Sequence, residues 1–190
     1  MSKLSCSACA AAVSSIDGVS VGYKEETKFL CSRCYNAFMA EHLGLDYAHV
    51  AFDPLTLQDL EGASHTFEFR PHIFSDQLSL EAREVGPDQG YAFCVIADAQ
   101  QDLYVTFQTL FERMRRELGR RHIEPEGSGY RITRDDVVRG QITDDPDSFE
   151  PMPLLIIDGK PITWEALGRM LAPNTGFRFK LEIFDRSEER

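Results

Sequence analysis

Apolar and polar residues alternate most clearly from Ser64 onward. Phe67, Phe69, Pro71 and Ile73 fall on one side of an extended chain, with Glu68, Arg70 and His72 on the other. After Ser75-Asp76-Gln77, Leu78, Leu80 and Ala82 alternate with Ser79, Glu81 and Arg83. Period two on both sides of a turn predicts an antiparallel hairpin with one buried face and one wet face. Pro71 cannot donate to a ladder, which assigns it to an edge or a bulge. Past the Gly86–Gly90 turn, Tyr91–Ile96 is apolar on both faces and reads as a central strand. The period then becomes helical. Leu103, Phe107, Leu110, Phe111, Met114 and Leu118 form a stripe built to lie on a sheet, with Asp98 or Asp102 as its cap.

The ends of the chain follow the same logic. Val19–Tyr23 and Thr27–Leu30 read as a short hairpin around Lys24-Glu25-Glu26, and a helix opens at Cys34. Phe38, Met39 and Leu43 share one face of that helix, and Gly44 is its stop. Between Asp46 and Ala63, Val50–Phe52 and Leu55–Leu57 are extended pieces. Tyr130–Ile132, Val137-Val138 and Gln141–Thr143 are further short ones. Near the C-terminus Leu154–Ile157 is a buried strand and Asp158-Gly159 a tight turn. Thr163 caps a helix over Trp164–Leu171, with Trp164 as a core anchor beside Leu167 and Leu171. Phe177, Phe179, Leu181 and Ile183 then alternate with Arg178, Lys180 and Glu182 in a half-buried strand. The expected fold class is α+β: an N-terminal module (residues 1–45), whose Cys6-x-x-Cys9 knuckle, hairpin and Cys31-x-x-Cys34 at a helix start resemble a treble-clef zinc finger, on a mostly antiparallel sheet with one long helix and one short C-terminal helix (46–190).

Composition narrows the function. A chain of 190 residues, 43% hydrophobic and with 13 Phe, has ample material for a core and should bury roughly 70% of its unfolded surface. The formal net charge of −11 repels nucleic acid overall, since duplex affinity comes mainly from Lys and Arg on phosphates. Acidic runs such as Asp144-Asp145-Pro146-Asp147 are either solubilising loops or a surface for a basic partner. No window approaches ~18 uninterrupted apolar residues, and Met1–Cys6 lacks the apolar run of a secretory signal. A cytoplasmic location without membrane contact is expected.

Four of the five cysteines stand in two Cys-x-x-Cys pairs, Cys6/Cys9 and Cys31/Cys34. In a cytosolic setting such pairs favour metal over disulfides. Four thiolates close a tetrahedral zinc site and leave no position for a reactive water, so the expected Zn²⁺ is structural. Cys94, alone in an apolar run, reads as a small core residue. His42 reads as a helix-end residue, and His65 and His72 fall at opposite parity, pointing apart. On the long helix, Arg113, Arg116 and Arg120 lie on one ridge away from the apolar stripe. That ridge is either a solvated face complementing the helix dipole or a docking ridge for a polyanion.

Nucleotide-binding, hydrolase and metalloprotease signatures are all lacking, and Gly127-Ser128-Gly129 lacks the setting of a phosphate cradle. The chain resembles a family of uncharacterised bacterial proteins. The resemblance is carried by Cys31-Ser32-Arg33-Cys34-Tyr35-Asn36 and by Ile157-Asp158-Gly159, Thr163-Trp164-Glu165 and Gly168-Arg169-Met170. It carries no activity and implies only the ligand set Cys6, Cys9, Cys31 and Cys34. The expected function is a non-enzymatic zinc-binding protein that contacts another protein. The alternatives are a nucleic-acid-associated regulator using the finger and the arginine ridge, and an enzyme assembled from scattered residues such as His72, Glu81 and Arg83.

Overall fold

The computed structural model describes residues 4–13, 18–22, 27–86, 90–148, 151–185 and 187–188. Its N-terminal module contains β1 (Leu4–Ser5), β2 (Ala12–Val13), β3 (Gly18–Val21), β4 (Lys28–Cys31) and α1 (Ser32–Leu43). A four-stranded sheet follows, built from β5 (Leu55–Gln58), β6 (Ser64–Phe74), β7 (Gln77–Glu84) and β8 (Ala92–Asp98), with α2 (Leu103–Leu118) after it. The last third holds the hairpin β9 (Ile123–Glu126) and β10 (Gly129–Ile132). It also holds the three-stranded sheet β11 (Gln141–Asp144), β12 (Pro153–Ile157) and β13 (Lys160–Thr163), then α3 (Trp164–Leu171) and a 3-10 turn over Ala172–Asn174. The strand pairs among the described residues are all antiparallel.

The period-two hairpin forms as its pattern requires. Phe74 pairs with Gln77 across the Ser75-Asp76 turn, and Phe67, Ile73, Leu78, Leu80 and Ala82 are buried. On this sheet lies α2, whose Leu110, Met114 and Leu118 join Phe67, Leu80, Ala82 and Phe93 in one core. Asp102 is its cap, its carboxylate accepting the Tyr104 N–H at 2.9 Å. A separate core of Ile123, Ile157, Ile162 and Met170 serves the last third, so the apolar material is divided where one main sheet was expected.

Several expectations need correction. β8 is the edge of its sheet, in the order β5-β6-β7-β8, although its sequence reads as central. Side chains cover that edge: Arg113 donates to the Cys94 carbonyl and Gln141 to the Ala92 carbonyl. A strand roofed in this way can be apolar without a neighbouring strand. Trp164 is no anchor; it is 51% exposed at the start of α3, which buries Met170 instead. Val50–Phe52 and Val137-Val138 form no strand, and neither does Phe177–Ile183, whose apolar side chains are exposed. The Lys24-Glu25-Glu26 turn of the first expected hairpin, with Tyr23 before it, lies outside the described residues.

Asn36 joins the N-terminal module to the sheet. β5 pairs only with residues 64–67 of β6, which leaves the edge of β6 open further along. Pro71 has no N–H, so at that edge it needs only a donor for its carbonyl. Asn36 Nδ2 donates to the Pro71 carbonyl at 2.8 Å, and Asn36 Oδ1 accepts the Ile73 N–H at 2.9 Å. One side-chain amide, 0% exposed, thus stands in for a missing strand. Pro71 sits at an edge as its chemistry demands.

Candidate metal centre

Local folding brings the four cysteines together. Cys6 ends the β1 arm of a knuckle closed by Cys6 N–H to the Ala11 carbonyl (2.9 Å) and Ala10 N–H to the Cys6 carbonyl (2.9 Å). Ala10 takes the left-handed conformation, φ 61°, to make that return. The knuckle is pinned to β4 by Ser7 N–H to the Phe29 carbonyl at 2.8 Å and by Phe29 N–H to Ser7 Oγ at 3.3 Å. Gly18 pairs opposite Cys31, and a Cβ there would fall 1.9 Å from Phe29 Cζ. A side chain there would displace the ring that lies over the glycine. Cys31 closes β4 and is the N-cap of α1, and Cys34 lies in the first turn. The helix therefore begins at Ser32, ahead of Cys34, with its N-terminus at the sulfur cluster, where negative charge is favoured.

The sulfurs of Cys6, Cys9, Cys31 and Cys34 all lie within 4.8 Å of one another, and Cys9 and Cys31 Sγ are 3.8 Å apart. A tetrahedron with metal–sulfur bonds of about 2.3 Å has edges of about 3.8 Å, so the donor set fits a metal ion. None of the five cysteines forms a disulfide. The surroundings of Cys6 and Cys34 act on the two thiols in opposite directions. N–H groups of Cys31, Cys9 and Ala8 pull the Cys6 thiol down to about 6 against the effect of its burial. Burial, followed by the neighbouring thiols, pushes Cys34 up to about 12. A cation at the centre would favour the thiolate form of all four cysteines.

The helix that carries Cys34 buries Asn36 and Ala40, while Phe38 and Leu43 face outward. Of the expected face of Phe38, Met39 and Leu43, only Met39 packs inward, against Ala40, Ile73 and Leu78. The contact surface of α1 is set by a polar residue instead. Gly44, at φ 67°, is the left-handed stop. His42 stacks on Phe38 at 5.8 Å. Cys94 is buried, as a core residue should be.

The expected arginine ridge does not exist as a trio. Arg113 is 8% exposed and turned inward, reaching the Cys94 carbonyl and, through Nη2, the Ser187 carbonyl at 3.3 Å. Arg116 and Arg120 are exposed and share Glu117, at 3.8 and 3.1 Å. The structure gathers a different set. A cavity of about 670 Å³ is lined by Arg120, Arg121, Arg131, Arg134 and Arg139 with His122, against the carboxylates of Glu124 and Asp135. These arginines are dispersed over a hairpin and its flanking loops, so no period in the sequence marked them. His122 was also missed. It is buried, its Nδ1–H donates to the Val137 carbonyl at 2.9 Å, and Asp158 Oδ2 accepts the backbone N–H of His122 and of Ile123 at 2.8 and 2.9 Å.

His72, Glu81 and Arg83 share the polar face of the hairpin. Tyr35 of α1 covers the His72 ring at a centroid distance of 4.4 Å, and Arg83 Nε lies 3.3 Å from Glu81 Oε2. Burial lowers the His72 pKa. His65 is the better-connected histidine: Nδ1 is 2.6 Å from Glu84 Oε1 and Nε2 is 3.2 Å from Asp59 Oδ2. Burial opposes its charged form, but the hydrogen bonds to Glu84 and Asp59 prevail and its pKa is raised.

Three family models tile the chain. Residues 5–46 match a domain of unknown function (DUF7685), residues 48–119 a second (DUF7686) and residues 120–188 a third (DUF7713). No curated protein and no solved structure matches the chain. No helix among the described residues is long and apolar enough to cross a membrane.

Proposed function

We propose that this is a non-enzymatic, cytoplasmic zinc-binding protein acting as a protein-interaction or regulatory module. Cys6, Cys9, Cys31 and Cys34 would hold one structural Zn²⁺ in a treble-clef-like finger (residues 1–45) on an α+β unit (46–190). The observation that carries the reading is the convergence of four sulfurs within 4.8 Å. Thiolates suit zinc, and four of them leave no coordination position for water or substrate. The order of knuckle, hairpin and helix supports the treble-clef class, with one ligand pair on the knuckle and one at the helix start. The finger's outward residues, Phe38 and Leu43, offer apolar surface on the helix that carries Cys34, which suits a protein partner. Affinity capture from the native cell with the zinc-loaded chain tests this. A partner retained by wild type and lost with Phe38→Asp supports the reading, and equal retention of that partner by both contradicts the finger's role.

A second reading, nucleic-acid association, is favoured by the arginine-lined cavity. Its signature is binding of single-stranded or duplex RNA or DNA that weakens steeply with salt. Affinity that persists after Arg134→Glu and Arg139→Glu would remove the cavity from that account.

A further inference from the structure

Residues 177–184 present an apolar face that none of the described residues covers. Phe177, Phe179, Leu181 and Ile183 are 79%, 89%, 69% and 73% exposed, and the segment belongs to no sheet. A frayed tail would explain this, but both ends are tied. At the start, Phe177 N–H donates to the Asn174 carbonyl at 3.0 Å and Thr175 Oγ1 to the Ala172 carbonyl at 2.8 Å. At the far end the buried Arg113 holds the Ser187 carbonyl. Between these anchors the period is two, and Lys180 Nζ meets Glu182 Oε1 at 2.6 Å on the polar side. An alternating, anchored and uncovered segment of this kind has the side-chain pattern of a strand and no strand to pair with among the described residues.

We infer that the segment pairs with the same segment of a second copy, antiparallel, about a two-fold axis at Lys180. The charge pattern selects this occupant. In that register Arg178 lies opposite Glu182 of the other copy and Glu182 opposite its Arg178, while Phe177 meets Ile183 and Phe179 meets Leu181, each pair occurring twice. Opposite charges and aromatic–aliphatic pairs directly across a ladder are stabilising. At the axis the two Lys180 side chains face each other, each drawn aside by its own Glu182. The alternatives are poorer. A parallel pairing stacks Arg178 on Arg178 and Lys180 on Lys180. A shift by one residue in either direction sets Phe179 and Leu181 against charged residues. A centre at Leu181 sets Lys180 against Glu182 but drives Phe184 against Arg178 and Phe177 against Asp185. A self-complementary patch is what an isologous dimer requires. A two-stranded ribbon is marginal on its own, and each copy carries −11. The dimer is therefore weak, with a Kd of about 1–100 µM, and tightens with moderate salt as that repulsion is screened.

This inference is independent of the metal reading. Its test is light scattering and analytical ultracentrifugation of the full, zinc-loaded chain up to about 200 µM. Wild type should shift from monomer to dimer mass with concentration. Phe179→Asp should raise the Kd at least about 100-fold, because it places a charge in the apolar face. R178E and E182R should each weaken the dimer about tenfold by making both cross-strand pairs repulsive, while an equimolar mixture of the two, or the double variant, restores it. Circular dichroism of each variant should match wild type, since these side chains touch no core. A wild type that stays monomeric overturns the inference. So does a dimer indifferent to Phe179→Asp, or a mixture no tighter than its components.

Discussion

Among the described residues, the cysteine module encloses a buried cluster of Cys6, Val13 and Leu30. Beneath α2 the corresponding set is Phe67, Leu80, Ala82, Phe93, Leu110, Met114 and Leu118. The second set is the larger and holds the bulkier side chains, so it excludes more apolar surface from water than the first. What the module has in its place is four convergent sulfurs, and metal binding at such sites contributes about 10–16 kcal/mol. The contrast teaches that one chain can draw its order from burial in one layer and, on the proposed reading, from coordination in another. Asn36 is the seam between them.

The largest effect should separate the two regions. Cys34→Ser, or removal of the ion by a chelator, should abolish tight metal binding and unfold the module, while the core beneath α2 persists. Hydrogen exchange resolves this: amides of β3, β4 and α1 lose protection and those of β7 and α2 retain it. Loss of protection throughout would show that the layers are not separable. Leu110→Ala should cost about 2–5 kcal/mol in denaturant unfolding and leave metal stoichiometry unchanged. Asn36→Leu should cost about 1–3 kcal/mol, because the Pro71 carbonyl and Ile73 N–H are left unpaired. Its distinctive sign is faster exchange of the Ile73 amide.

The smallest effect is pH dependence at the Asp59–His65–Glu84 cluster. The raised His65 pKa means that its contribution is complete below about 6.5 and is lost as pH rises through the folded value. Asp59 runs the other way. Burial raises its pKa, but the His65 bond and the N–H groups of Ala63 and Glu61 together lower it. Its contribution is present above the ordinary Asp range and lost as pH falls through the folded value. Stability attributable to the cluster therefore peaks between the two, and His65→Gln should flatten the alkaline limb of the midpoint-versus-pH curve. An unchanged limb would remove His65 from the account.

How much was legible in the sequence follows the same division. The β6–β7 hairpin and α2 could be read because burial on one face enforces a period, and the clustering of Cys6, Cys9, Cys31 and Cys34 because paired Cys-x-x-Cys spacings have few other uses. Arg113 was misread because helical spacing gives a side chain's direction but not the carbonyls within its reach. β8 was misplaced because covering by side chains and pairing by a strand leave the same apolar signature. Asn36 had no signal at all: its role depends on Pro71, far along the chain. Phe177–Ile183 has the pattern of a strand and no partner strand among the described residues.

The most direct measurement of the central claim is X-ray absorption at the metal edge of the protein as purified from its own cells. The account predicts zinc at one equivalent per chain, with a first shell of four sulfurs at about 2.3 Å. A first shell containing nitrogen or oxygen, or a chain that stays folded through residues 4–45 with no metal bound, would contradict it.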